Sequence, residues 1–131
     1  MRDEGTLVHG DLSRKIIGAA MRVLNELKPG LDEKLYENAL RLELQAEGLR
    51  TDQQRRFPVH YRNQLIGTLI PDLIVEDAVI VDPKVVTAFH DEHLAQMLGY
   101  LSITGLDLAL LLNFRTTRLE WKRVLNPRLI S

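Results

Sequence analysis

Asp72, Asp82 and Lys84 are the charged residues that a purely structural reading of this sequence places least easily. Asp72 follows Pro71 inside the otherwise apolar stretch 69–75, and Asp82 interrupts the stretch 79–86, with Lys84 two positions further on. Charges embedded in core-like strands cost several kcal/mol each unless paired or bound to a cation. A period-two strand puts Asp82 and Lys84 on one face and Pro83 on the other. Whether Asp72 joins them depends on the turn. If Glu76-Asp77 alone is the hairpin turn, Asp72 pairs with Val81 and points away from Asp82. A three-residue loop, Glu76-Asp77-Ala78, instead sets Val75 against Val79 and Asp72 against Asp82. Two carboxylates then face each other beside an ammonium group. Like charges opposed in a sheet repel, so this register makes sense with a divalent cation between them, and oxygen donors favour Mg²⁺ or Mn²⁺ over zinc. The alternatives are an Asp82–Lys84 or Asp72–Lys84 ion pair, or solvated charges at two strand ends.

The elements that position these residues follow from periodicity. Ile16, Ile17, Ala20, Val23, Leu24 and Leu27 recur at helical spacing, with Ser13 a suitable N-cap and Lys28-Pro29-Gly30 a stop. A second helix begins near residue 31 or 32 with a buried stripe of Leu35, Ala39, Leu42 and Ala46, and Gly48 ends it. The pattern then changes to period two. Phe57, Val59 and Tyr61 alternate with polar or proline positions, 62–64 reads as a turn, and 65–70, 73–75 and 79–81 read as strands. A third helix is expected over 91–103, with Leu94, Met97, Leu98 and Leu101 inward and Gly105 as its stop. Residues 106–112 are nearly all apolar, as in a strand buried on both faces, and 118–124 reads as a last, half-exposed strand. The order is helix, helix, three or four antiparallel strands, helix, strand, strand. It predicts an α/β or α+β-like mixed sheet flanked by helices, with residues 1–11 a flexible N-terminal arm and 12–131 one domain.

Composition limits what such a chain can be. Its 131 residues carry 17 basic and 18 acidic groups, a formal net charge of −1, so strong general attraction to nucleic acid is not expected. Local contacts are, through Arg50, Arg55, Arg56 and Arg62 or through Arg115, Arg118, Lys122, Arg123 and Arg128. The apolar fraction of 45% is too high for a disordered chain. With no cysteine, disulfides, thiolate zinc sites and a cysteine nucleophile are excluded together, which suits a reducing cytoplasm. The polar, acidic opening 1–5 is unlike a secretory signal, and no apolar run approaches the ~20 residues of a membrane span. His90 and His93 lack further ligands at zinc spacing and are expected to cap or pack. The serines lie in no nucleophile-elbow context.

Pro71-Asp72, nine residues, then Asp82-Pro83-Lys84 is a literal PD-(D/E)-x-K pattern. Upstream, Gly30-Leu31-Asp32-Glu33-Lys34-Leu35-Tyr36 reads G-x-x-E-x-x-Y, and downstream Gln96-Met97-Leu98-Gly99-Tyr100 reads Q-x-x-x-Y. In this order and spacing the chain resembles the GxxExxY family of small bacterial and archaeal proteins, grouped with the RecB-like branch of PD-(D/E)-x-K nucleases. The resemblance runs from about Ser13 to Val124. It implies a restriction-endonuclease-like core and a metal-dependent nuclease acting on DNA or RNA. By that resemblance Asp72 and Asp82 are metal-binding carboxylates, and the Pro83 carbonyl is a further ligand. Glu33 is the acid presented from the first core helix, with Tyr36 on its helical face. Lys84 positions or activates the attacking water, and Gln96 and Tyr100, four apart on one helix, hold a substrate phosphate or the metal-bound water.

Three positions depart from the family pattern. Asp82 stands where Glu is usual, and Pro83 cannot donate to a central ladder, which suggests a bulge or strand end. Gly99 stands where a larger polar residue is common. The competing readings are a nuclease fold kept as a nucleic-acid-binding or protein-interaction module, alone or with an accessory protein, and a homodimer formed through exposed apolar strand surface around 106–112.

Overall fold

The computed structural model describes residues 7–130. Helix α1 (Gly10–Leu27) starts three residues before the expected N-cap. Ser13 lies inside its first turn, where its hydroxyl donates to the His9 carbonyl at 2.8 Å and accepts from the Arg123 guanidinium at 2.5 Å. His9 takes the capping position instead, in the left-handed region. Of the expected arm, residues 1–6 lie outside the described residues, and Gly10 and Asp11 are helical.

Helix α2 (Glu33–Ala46) buries Tyr36, Glu37, Leu40 and Leu44. The expected stripe is therefore rotated, since Leu35 and Leu42 are 50% and 58% exposed. The cause is Tyr36, whose ring stacks flat on Phe114 with centroids 4.6 Å apart and turns its own side of the helix inward.

Seven strands and one more helix follow: β1 (Thr51–Gln53), β2 (Phe57–Tyr61), β3 (Gln64–Leu69), β4 (Leu73–Val75), β5 (Val79–Lys84), α3 (Asp91–Thr104), β6 (Leu108–Asn113) and β7 (Glu120–Leu125). Five strands form one sheet in the order β1-β4-β5-β6-β7, with β5 and β6 parallel and the other neighbours antiparallel. The parallel pair is joined through α3, as a parallel connection requires a crossover. Strands β2 and β3 stand apart as a two-stranded hairpin and do not extend the main sheet as a run of antiparallel strands would. A short 3-10 helix, Pro127–Leu129, follows β7.

Alternation sorts the sheet's side chains between two helical layers. Leu73, Val75, Val79, Val81, Leu108, Leu110 and Leu112 join α1 and α2 in the larger core. Ile74, Ile80, Ala109, Leu111 and Val124 join Met97 and Leu101 of α3 in the smaller one. Leu98, expected inward, is 40% exposed. Strand β6 is buried throughout and flanked by β5 and β7. The competing homodimer reading supposes exposed apolar surface at 106–112, whereas residues 108–112 are buried within the chain itself. No described helix is long and apolar enough to cross a membrane.

Candidate active site

The turn between β4 and β5 decides the register. Glu76 and Asp77 both take left-handed backbone (φ 54° and 52°), and the Ala78 N–H donates to the Val75 carbonyl at 3.1 Å. Val75 then pairs with Val79, Ile74 with Ile80 and Leu73 with Val81. Continued by one residue, this alignment sets Asp72 against Asp82, the register of the three-residue loop. Asp82 shares the parity of Ile80 and so belongs to the α3 side of the sheet, while Asp72, one residue before β4, sits at the strand end where that side meets the start of α2.

Asp82 is 3% exposed, and its Oδ1 lies 3.4 Å from Lys84 Nζ. The two groups form an ion pair, while Oδ1 has no hydrogen-bond partner among the described residues. Lys84 Nζ also donates to Gln96 Oε1 at 3.3 Å, and Gln96 Nε2 donates to the Tyr100 hydroxyl at 3.2 Å. A continuous polar chain thus runs from Asp82 through Lys84 and Gln96 to Tyr100. Residues four apart on α3 face the strand because one helical turn brings them onto a common side.

Charge crowding shows in the ionisation of these groups. Burial, then the neighbouring Asp82 and Glu37 carboxylates, pushes the Asp72 carboxyl from 3.8 up to about 7. Burial also raises Asp82, an effect that the Lys84 ammonium offsets and the Glu33 charge reinforces. The Tyr100 hydroxyl is raised by burial and by the two aspartates, so it stays protonated.

Glu33 reaches the site differently. Its Oε1 accepts the Val85 backbone N–H at 3.0 Å, fixing the first turn of α2 to the end of β5. Tyr36 does not face the site beside it. Its hydroxyl donates to the Lys28 carbonyl at 2.6 Å and accepts the Leu31 N–H at 3.2 Å, so it bolts the α1–α2 turn and thereby sets where Glu33 begins its helix. An open cleft of about 610 Å³ is lined by Leu31, Asp32, Glu33, Lys34, Glu37, Asp72 and Val85.

Pro83 is buried and sits past the last β4–β5 pair, where its missing N–H deprives β4 of nothing. Strand β5 keeps its register with β6 through Lys84, so the expected bulge is absent and the strand end is real. Gly99 has open space around a Cβ position; nothing in its packing requires glycine. His90 and His93 form a capping box on α3, with the His90 N–H donating to His93 Nδ1 at 2.9 Å.

Two residues that matter here were not read from the sequence. Glu37 is buried, pairs with Lys34 at 2.9 Å, accepts from Gln53 at 2.5 Å and repels Asp72. Its spacing of four from Glu33 was the available signal. Asn113 accepts the Val86 N–H at 3.2 Å and donates to the Val86 carbonyl at 2.8 Å, holding the segment after Lys84. A lone Asn ending an apolar run gave no hint of that.

The arginine clusters are partly consumed by the fold. Arg55 pairs with Asp52 and Asp77, Arg128 with Asp107, and Arg123 binds Ser13 and the Val8 carbonyl.

A family model described as the PD-(D/E)XK nuclease superfamily matches residues 10–124. The chain belongs to that superfamily. Pro71-Asp72 and Asp82-Pro83-Lys84 spell its pattern literally, and the mixed α/β sheet flanked by helices is consistent with its restriction-endonuclease-like fold. No curated protein matches the chain in sequence. Among solved structures it is similar to an alkaline exonuclease (LHK-Exo) from Laribacter hongkongensis, with 15% identity and a TM-score of 0.49 over 85% of this chain and 78% of that one.

PD-(D/E)XK nucleases generally use divalent metals. Among the described residues no three acidic or histidine side chains gather into a ready-made metal cluster. The residues nonetheless fit a hard dication that keeps several waters and takes one or two carboxylates plus substrate oxygens. The buried Asp82 Oδ1, ion-paired with Lys84 but without a hydrogen bond, and the proton-hungry Asp72 opposite it are the donors that such an ion would satisfy.

Proposed function

We propose that this nuclease-like protein is a metal-dependent phosphodiester hydrolase acting on nucleic acid, DNA or RNA, from the GxxExxY branch of its superfamily. The observation that carries the reading is the register that, continued one residue past Leu73 and Val81, opposes Asp72 to Asp82 with Lys84 alongside, so that a buried Asp82 oxygen is ion-paired with Lys84 but accepts no hydrogen bond among the described residues.

Asp72, Asp82 and the Pro83 carbonyl would hold Mg²⁺ or Mn²⁺, and Glu33 adds negative charge from the start of α2. Such an ion, when bound, lowers the pKa of a water and neutralises charge on the phosphoryl group. Lys84, fixed between Asp82 and Gln96, orients the attacking water and offsets charge developing on phosphoryl oxygens. Tyr100 accepts from Gln96 and keeps its own proton, so its hydroxyl is free to donate to a substrate phosphate. Gln96 orients both Lys84 and Tyr100.

The test is cleavage of single- and double-stranded DNA and RNA with Mg²⁺ or Mn²⁺. Lys84→Ala is expected to slow it by about 100-fold or more, and EDTA to abolish it. Cleavage that neither change affects refutes the reading.

A second reading, a nuclease fold kept for binding, draws support from Glu33, whose Oε1 is engaged by the Val85 N–H. It predicts that nucleic acid is bound and left uncut in both metals.

A further inference from the structure

The β2–β3 hairpin leaves the main sheet between β1 and β4 and returns directly to Asp72. Its base is anchored on the α3 side of the sheet. Phe57 packs against the same small core as Tyr100, under the Arg55 guanidinium 5.0 Å from its ring. Beyond that base the hairpin buries little. Tyr61, Leu65 and Ile66 are 66%, 64% and 65% exposed, and because Tyr61 pairs with Gln64 and His60 with Leu65, Tyr61 and Leu65 lie on opposite faces of the hairpin tip.

Charge narrows the choice of occupant. Residues 53–71 contain Arg55, Arg56, His60 and Arg62 and no Asp or Glu. Arg55 is tied to Asp52 and Asp77, but Arg56 and Arg62 make no ion pair among the described residues. The turn is a two-residue one, Arg62-Asn63, with φ of 50° and 63°. Asn takes that backbone readily, whereas Arg is uncommon there. The hairpin's edge is also a poor template for strand pairing with a second copy. Pro58 lacks an N–H, and the register shifts between Val59 and His60.

We propose that this hairpin holds an unpaired nucleic-acid strand at the approach to the site, Tyr61 stacking on one base and Arg56 and Arg62 neutralising phosphates. The proposal rests on the nuclease reading and names its substrate, a strand with unpaired bases. Aromatic rings stack on any base, which gives affinity without sequence preference. The reach is suitable: Leu65 lies seven positions before Asp72, at most about 25 Å of extended chain. At ~3.4 Å per nucleotide, that is about seven nucleotides along a stacked strand.

The experiment measures binding by fluorescence anisotropy in EDTA, where no cleavage occurs. The probes are a short labelled single strand, a fully paired blunt duplex of the same sequence and a duplex with an unpaired tail. Tyr61→Ala is expected to weaken the single strand and the tailed duplex by about tenfold and the blunt duplex by less than about twofold, with Tyr61→Phe restoring wild-type binding. Arg62→Gln should lower the salt slope for the single strand by about 0.7. The variants alter exposed positions, and sedimentation and circular dichroism check that fold and mass are unchanged. Equal binding by wild type and Tyr61→Ala, equal loss on all three probes, or a wild-type dimer that Tyr61→Ala dissociates each overturns the proposal. Failure of the nuclease reading is separate: it appears as metal-independent or absent cleavage while the Tyr61 dependence of binding persists.

Discussion

The two faces of the main sheet are built from alternate residues of the same strands, yet they do opposite work. On the α1–α2 face, Leu73, Val75, Val79, Val81, Leu108, Leu110 and Leu112 are apolar from end to end and fully buried. On the α3 face, Ile74 and Ile80 give way at the strand ends to Asp72, Asp82 and Lys84. The first face is closed by packing, which is non-directional and strong. The second holds a charge arrangement that the isolated fold does not favour, because Asp82 keeps a buried oxygen that accepts no hydrogen bond and Asp72 resists ionisation. Close packing and crowded charge are separated by a single step along a strand. Phe114, one residue past β6, carries the same division into the loops, since its stack with Tyr36 locks α2 while Asn113 beside it holds the segment after Lys84.

The contrast breaks most easily on the closed face. Leu110→Ala is expected to cost about 2–5 kcal/mol in urea denaturation, since its side chain is fully buried between layers; a cost below ~1 kcal/mol means that this face is not the main source of stability. Tyr36→Phe keeps the stack but loses the hydroxyl that joins Lys28 to Leu31. A loss of about 1–2 kcal/mol follows, and hydrogen exchange at the start of α2 should speed up. No change there means that the turn holds itself.

On the open face the sign reverses. Asp72→Asn removes a carboxylate that burial, Asp82 and Glu37 all oppose, so the metal-free protein should melt higher above pH ~7 even as cleavage is lost. The same logic gives a pH dependence. A carboxyl whose folded value is about 7 against 3.8 unfolded binds more protons in the folded state between those values. Stability of the metal-free wild type should therefore rise as pH falls through about 7 toward the ordinary carboxylate range. This contribution should vanish in Asp72→Asn; an identical slope in both proteins assigns it to other groups.

Much of this was legible in the sequence, and the gaps have physical causes. The run ending in Leu112 is read correctly as a buried strand because only burial on both faces tolerates such a sequence. The opposition of Asp72 and Asp82 follows from loop length. Strand β1, Thr51–Gln53, is not legible, since three polar residues show no alternation and take their form from β4. The hairpin is read as strands and assigned to the wrong sheet, because period two reports a strand and not its neighbours. The rotated face of α2 has a similar origin. Tyr36 was taken as a partner of Glu33, and only its contact with Phe114, far away in sequence, turns it inward. Pairwise motifs were therefore visible, whereas the side chains that orient them, Glu37 and Asn113, were not.

The central claim is that Asp72 and Asp82 together hold a hard dication, and calorimetric titration of Mg²⁺ and Mn²⁺ into wild type, Asp72→Asn and Asp82→Asn addresses it most directly. Saturable binding of one ion by the wild type is predicted, accompanied by proton release near pH 7 and lost in both variants. Equal binding by all three proteins, or none by the wild type, contradicts it.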